Sequence, residues 1–182
     1  WMYASQNPEH NLSFGYSVAD EMRKHLITLW NTYSFFVTYA NLDGFNPLDD
    51  IISMDDYTDL DRWILSKLNS TIIEVENAYN NYRMNDAVKL VYDFVYKNFC
   101  DWYIEFSKSR FYGTDKKDKA VAQKVSLYVL EAILKLMHPY CPFITEEIWS
   151  HINNEGLLIN AQWPKADKEM IDTKIESELS II

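Results

Sequence analysis

Apolar side chains recur every three or four positions over long stretches of this 182-residue chain. Ala19, Met22, Leu26, Leu29, Tyr33, Phe36 and Ala40 alternate spacings of three and four, which draws one face of an α-helix. Ser17 and Asp20 have the spacing of a capping-box variant. Asn41-Leu42-Asp43-Gly44 supplies residues that tolerate the left-handed stop. The pattern therefore predicts a first helix over residues 18–40.

A polar, aspartate-rich connection follows over residues 41–57, and Thr58-Asp59-Leu60-Asp61 marks the next start. Leu60, Ile64, Leu68, Thr71, Val75, Ala78 and Tyr82 keep helical spacing, so a second helix runs to about Asn80-Asn81. Asn85 is placed to cap a third helix with the stripe Val88, Val91, Val95, Phe99, Trp102 and Phe106. A second stripe, Tyr92, Tyr96, Cys100 and Tyr103, lies beside it and makes this helix the expected central member. Gly113 breaks the pattern. A fourth helix is expected over 117–137, with Val121, Val125, Tyr128, Ala132 and Leu136 inward and Pro139 after it. A short fifth is expected from Pro142 to Ile152, then an extended piece over 157–159 and a terminal helix within 169–182. The sum is an all-α antiparallel bundle of four long helices plus a short fifth. Its expected division is a tail at 1–16, the bundle at 17–153 and an extension at 154–182.

Composition narrows the class. Four glycines and five prolines are too few to punctuate a many-stranded sandwich or barrel, and 48% apolar residues exclude a mainly disordered chain. Two cysteines, Cys100 and Cys141, cannot build a disulfide framework, so reduced thiols and a cytoplasmic setting are expected. No apolar run approaches the roughly 18 residues of a membrane span. Trp1-Met2-Tyr3-Ala4-Ser5 lacks the pattern of a signal peptide, and its aromatic first residue suggests a piece of a longer polypeptide.

The formal net charge is −10, yet it is unevenly spread. From Lys108 to Lys124, Lys108, Arg110, Lys116, Lys117, Lys119 and Lys124 face only Asp115 and Asp118. Phe111 and Tyr112 sit within that run. Cations for phosphates and flat rings for unstacked bases are what a single-stranded RNA loop requires. A solvated helix–turn–helix corner would carry the same charges, and overall acidity suits a domain that is one part of a larger binder.

Catalytic signatures are lacking. The sequence has no glycine-rich phosphate loop, HExxH, GxSxG or paired Cys/His set. His10, His25, His138 and His151 are scattered, and His138 with Cys141 makes only two ligands. Glu146 and Glu147 are adjacent, point apart on a helix and suit its N-terminal dipole. Trp63, Trp102 and Trp149 read as core.

Several segments resemble the tRNA-anticodon-binding domain of class Ia aminoacyl-tRNA synthetases. The stretch Leu29-Trp30-Asn31-Thr32-Tyr33-Ser34-Phe35-Phe36, continued to Phe45, is similar to the first bundle helix of the isoleucyl enzymes. Asp61-Arg62-Trp63-Ile64-Leu65-Ser66 matches an opening shared by the isoleucyl and valyl branches. Asn98 to Lys108 and His138 to Trp149 look closer to the valyl branch, and Trp163-Pro164 resembles a pair that follows the bundle in both. The resemblance spans about residues 10–167, and the unbroken first-helix segment favours the isoleucyl side.

That resemblance implies a bundle that seats the anticodon stem-loop of a tRNA in a parent ligase charging isoleucine, or alternatively valine, with ATP. The "HIGH" and "KMSKS" signatures are absent, so the chain is expected to hold no cofactor of its own; ATP and Mg belong to the parent's catalytic domain. Expected partners are the stem-loop and that catalytic domain, with no membrane. Local chemistry proposes Lys108 and Arg110 for phosphate or base edges, Phe111 and Tyr112 for stacking, and Lys116, Lys117 and Lys119 for steering the backbone. Arg62 is a further candidate, with a salt bridge as its plainer role. Another class of function, a protein-docking or spacer bundle without RNA contact, is consistent with the acidic stretch at 41–59.

Overall fold

The structure, a computed structural model, describes residues 15–46, 53–152 and 156–179. Among them the backbone is helical, with no strand. Helix α1 spans Tyr16–Asp43, α2 Asp59–Asn80, α3 Met84–Asp93, α4 Glu105–Phe111, α5 Lys116–Met137, α6 Pro142–Ile152 and α7 Thr173–Leu179. An 11-residue π-helix, Phe94–Ile104, joins α3 to α4 without a break, so residues 84–111 form one rod. The expected tail at 1–16 lies outside the described residues except for its last two positions, and His10, Asp49 and Asp50 lie outside them altogether.

Where the helices start follows local chemistry. Thr58 and Asp61 form a reciprocal capping box at the head of α2. Asp115 caps α5, its Oδ1 accepting from the Lys117 and Asp118 amides at 2.9 and 3.2 Å. Gly44 ends α1 at φ 66°, and its amide and that of Phe45 bond back to Asn41 and Ala40. Two expected caps fail: α1 begins at Tyr16 after Gly15, so Ser17 and Asp20 lie within the helix, and α3 begins at Met84 with Asn85 already inside. Neither helix start has a side-chain cap.

The π-helix corrects the reading of the third stripe. Its N–H groups bond five residues back rather than four, and such turns are rare beyond a single one. Each wide turn rotates the following side chains relative to an α-helix. The expected inward stripe therefore holds through Val88, Val91, Val95 and Phe99 and then leaves the core: Trp102 is 37% and Phe106 51% exposed. Tyr103, Ser107 and Phe111 take over the buried face.

The core gathers Leu29, Phe36, Ile64, Leu68, Phe94, Phe99, Val129, Ile133 and Leu136 from α1, α2, the rod and α5. Lys119 Nζ meets Asp43 Oδ1 at 2.9 Å and Arg110 reaches Asp61, so the ends of α1 and α4 and the starts of α2 and α5 share one pole. Connectivity then makes α1 and the rod antiparallel to α2 and α5. At the other pole the hydroxyls of Tyr79 and Tyr140 are hydrogen-bonded.

Residues 156–179 pack on this bundle. Leu157 is extended, but Leu158–Asn160 closes into a 3-10 turn instead of continuing as an extended piece. The terminal helix occupies only Thr173–Leu179 among the described residues. Polar side chains of α2 hold it: the Asp172 amide donates to Ser66 Oγ at 2.8 Å, the Asp167 amide to Asn69 Oδ1 at 2.7 Å, and Lys67 pairs with Glu176 at 2.9 Å.

Candidate nucleic-acid interface

The turn joining α4 to α5 lies at the shared pole; it carries Tyr112, and the helix ends on either side of it carry every other candidate residue except Arg62. The Tyr112 amide bonds to Lys108 O and the Gly113 amide to Arg110 O, which tightens the end of α4. A Cβ at Gly113 would stand 3.2 Å from the Ser109 and Arg110 carbonyl oxygens, so glycine fits the close approach.

Arg110 is committed to the protein, and this corrects its expected role. Its side chain is only 10% exposed. Nη1 donates to Asp61 Oδ1 at 2.8 Å, Nε to Asp118 Oδ1 at 2.8 Å and Nη2 to the Asp118 carbonyl at 3.2 Å. Burial opposes its charge, but the bonds to Asp61 outweigh that and raise its pKa further. Asp61 is fully buried and also accepts from the Tyr103 hydroxyl at 2.8 Å and from the amide and hydroxyl of Thr58. Guanidinium and carboxylate thus bolt the start of α2 to the end of the rod. Sequence reasoning missed this pair because Asp61 and Arg110 are 49 residues apart; the capping role of Asp61 was the one local signal.

Phe111 is corrected too. It is 1% exposed, with its ring 5.2 Å from that of Phe35, so it cannot stack on a base. Tyr112 is 57% exposed and sits edge-on to Tyr39 at 5.1 Å and to Phe35 at 6.2 Å. Its hydroxyl beside that of Tyr39 holds the Tyr39 phenol above its ordinary range. Phe35 and Tyr39, on α1, complete an aromatic ledge that the sequence reading left unassigned.

The lysines are present but mostly paired. Lys108 reaches Glu105 at 2.6 Å and lies 5.8 Å from the Phe35 ring centre. Lys119 is held by Asp43. Lys117 pairs with Asp56, whose carboxyl is pushed below its usual range chiefly by that contact. Lys116 is exposed and makes no ion pair among the described residues. Arg62 is likewise exposed, without the expected salt bridge, in a cleft with Asp55, Glu169 and Asp172. The net field of the pole is therefore smaller than the count of cations over 108–124 implies.

The remaining chemistry is structural. Trp63 and Trp149 are core, as expected, while Trp102 is not. Glu146 accepts from the Leu158 amide at 2.9 Å, and the His138 ring bonds Thr145 Oγ1. Burial pushes the Cys100 thiol up to about 12, which suppresses the thiolate that nucleophilic chemistry needs. Among the described residues no group of three or more His, Cys, Asp or Glu could hold a metal ion, and no helix is long and apolar enough to cross a membrane.

Residues 61–182 match the family model described as the anticodon-binding domain of tRNA ligase. A valine–tRNA ligase of Listeria monocytogenes is 35% identical over 97% of this chain and 20% of its own length. An isoleucine–tRNA ligase of Bacteroides thetaiotaomicron is also 35% identical, over 100% of this chain and 16% of its own. The two amino acids are thus equally close, and the chain spans a fifth or less of such relatives. The bundle superposes on a chain from the crystal structure of a ternary complex of Agrobacterium radiobacter K84 agnB2 LeuRS, tRNA and LeuAMS, with a TM-score of 0.63. That match has 18% identity and covers 88% of this chain and 18% of the other, so it speaks for the fold alone.

Proposed function

Since the chain belongs to the anticodon-binding domain family of tRNA ligases, we propose that it seats the anticodon stem-loop of a tRNA on the pole formed by the α4–α5 turn. The observation that carries this reading is Tyr112, an exposed ring backed by Tyr39 and Phe35 and flanked by Lys108, Lys116 and Lys117. Tyr112 stacks on an unpaired base, Lys116 meets phosphate directly, and Lys108, Lys117 and Lys119 exchange their carboxylate partners for phosphates. Arg110 and Phe111 are positioning residues, fixing the turn from below. Arg62 is a secondary phosphate contact on the same pole.

The parent is read as a ligase that charges a tRNA with isoleucine or valine; the unbroken segment at 29–45 favours isoleucine. ATP and Mg serve the parent's catalytic domain, and amino-acid activation is not carried by this chain. Isoleucine- or valine-dependent pyrophosphate exchange by the 182-residue chain would overturn that last point.

Fluorescence anisotropy with labelled isoleucine and valine tRNA stem-loops, at several salt concentrations, tests the site. Tyr112→Ala should lose the ~1–3 kcal/mol of one stacked base, about 5- to 150-fold in Kd. Lys116→Ala should flatten the salt dependence by about one charge. Lys89→Ala, an exposed change on α3, is the control. Equal losses from Lys89→Ala and Tyr112→Ala would move the site off this pole.

A further inference from the structure

We infer that the groove between α2 and the rod is a docking site for a protein segment bearing large apolar anchors flanked by lysine or arginine. The groove encloses ≈430 Å³ and is lined by Leu60, Trp63, Lys67, Trp102, Phe106 and Leu179. Its outer wall is the pair that the π-helix turns out of the core: the Trp102 and Phe106 rings stack at 5.3 Å with planes 28° apart. Two adjacent half-exposed aromatics beside a buried tryptophan are the kind of surface on which binding energy concentrates. The aromatic ledge proposed for RNA is built on α1 and the α4–α5 turn, so this groove lies beyond that reading.

Charge decides the occupant. The cations around the groove are neutralised: Lys67 by Glu176 at 2.9 Å, Lys97 by Asp93 at 2.6 Å and Lys108 by Glu105 at 2.6 Å. Asp59, one turn before Trp63, and Asp101, next to Trp102, are exposed and make no ion pair among the described residues. A nucleic acid brings phosphates toward these carboxylates, and Lys67, the charged residue that lines the groove, is already paired. A second copy of this chain, at a net charge of −10, is repelled. A segment with apolar side chains at i and i+3 or i+4 seats them on Trp102 and Phe106, while its basic ends meet Asp59 and Asp101.

The test titrates the 182-residue chain with a synthetic amphipathic 16-mer that carries leucines on one face and lysines at both ends. A twin has glutamates in place of those lysines. Binding is read by calorimetry, and the site by NMR shifts of the Trp102 indole. The lysine peptide should bind at least tenfold more tightly than its twin. Trp102→Ala and Phe106→Ser should each weaken it at least tenfold. Both side chains are half-exposed, and unchanged circular dichroism would confirm that the variants fold. Asp59→Asn with Asp101→Asn should erase the preference between twins while leaving the groove intact. Equal binding of the twins, binding indifferent to Trp102→Ala, or no binding because residues 180–182 or another copy fill the groove, would each overturn the assignment. An anticodon stem-loop should bind without displacing the peptide. Displacement that disappears in Phe106→Ser but not in Tyr112→Ala would make the groove an RNA site instead. Loss of RNA binding with retained peptide binding would fail the RNA reading alone.

Discussion

Replacing Arg110 with alanine should unfold the pole rather than merely discharge it. Asp61 has no exposed surface and four donors around it: the Thr58 amide at 3.0 Å, the Thr58 hydroxyl at 2.7 Å, the Tyr103 hydroxyl at 2.8 Å and Arg110 Nη1 at 2.8 Å. Three of these are neutral, and Arg110 alone balances the carboxylate charge. Removing one member of a buried pair costs ~3–5 kcal/mol because the other stays buried and uncompensated. The second contact, to a 38% exposed Asp118, adds little by comparison. Taking ~4 kcal/mol and a urea slope of ~2–3 kcal/mol/M, the unfolding midpoint falls by ~1.3–2 M. That is a large share of the ~5–15 kcal/mol a domain has.

Urea titrations followed by far-UV circular dichroism measure this shift. Arg110→Lys keeps the charge but loses the fork that spans Asp61 and Asp118, so it should fall between wild type and alanine. Adding Asp61→Asn to Arg110→Ala removes the stranded charge and should restore part of the loss, a coupling that a double-mutant cycle isolates. The reasoning fails if Arg110→Ala unfolds within ~0.3 M of wild type, a small fraction of the shift that the buried pair requires, while losing affinity for the stem-loop. The guanidinium would then be a free RNA ligand, as its sequence position first suggests.

Two further changes test the electrostatics. Burial holds the Glu131 carboxyl above its ordinary range, with Lys135 opposing more weakly. A carboxyl raised in the folded state costs stability once the pH passes its unfolded value, so Glu131→Gln should raise the midpoint at pH 7 and have no benefit in acid. Glu176 is shifted the other way: burial raises its pKa, but hydrogen bonds from Ser66 and Lys67 more than offset this, leaving it below the ordinary range of a glutamate carboxyl. Its contribution is present above about 4.5 and lost as the pH falls through the lowered folded value. Glu176→Gln should therefore reduce the difference in stability between pH 7 and strong acid, and hydrogen exchange should report early release of α7.

Much of the fold was legible because periodic burial and helix stops are local. The stripe from Ala19 to Ala40, the Thr58–Asp61 start and the Pro142 helix all appear where spacing and cap chemistry put them. Ser17 and Asn85 failed as caps because each helix begins before them, at Tyr16 after Gly15 and at Met84 after Arg83, and neither start carries a side-chain cap. The π-helix was not legible, since two adjacent apolar stripes over 88–106 fit an α-helix with a broad buried face equally well. Only the tertiary choice of Tyr103 over Trp102 reveals it. Arg110 and Phe111 failed as site residues because composition counts charges and rings without saying which side of the helix they occupy. Phe35 and Tyr39 lie off the predicted α1 stripe and entered only within the segment that resembles the isoleucyl enzymes; their service to Tyr112 depends on a contact across more than 70 residues.

The same pairing that quiets the basic pole also makes it a switchable surface. Solvated ion pairs such as Lys117–Asp56 and Lys108–Glu105 are each worth ~0–1 kcal/mol, so a phosphate can displace the carboxylate at little cost. The buried Arg110–Asp61 pair cannot be opened on those terms. Two kinds of cation thus sit within one turn of each other: a locked one that fixes where Tyr112 points, and loosely held ones that trade partners. On the proposed reading, a pole built in this way binds a polyanion only when several phosphates arrive together in the right places, because each exchange gains little alone. A stem-loop meets that condition, whereas a mononucleotide does not. Affinity should therefore climb steeply with the number of ordered phosphates offered, and the aromatic ledge then supplies the stacking contact that a bare phosphate chain lacks.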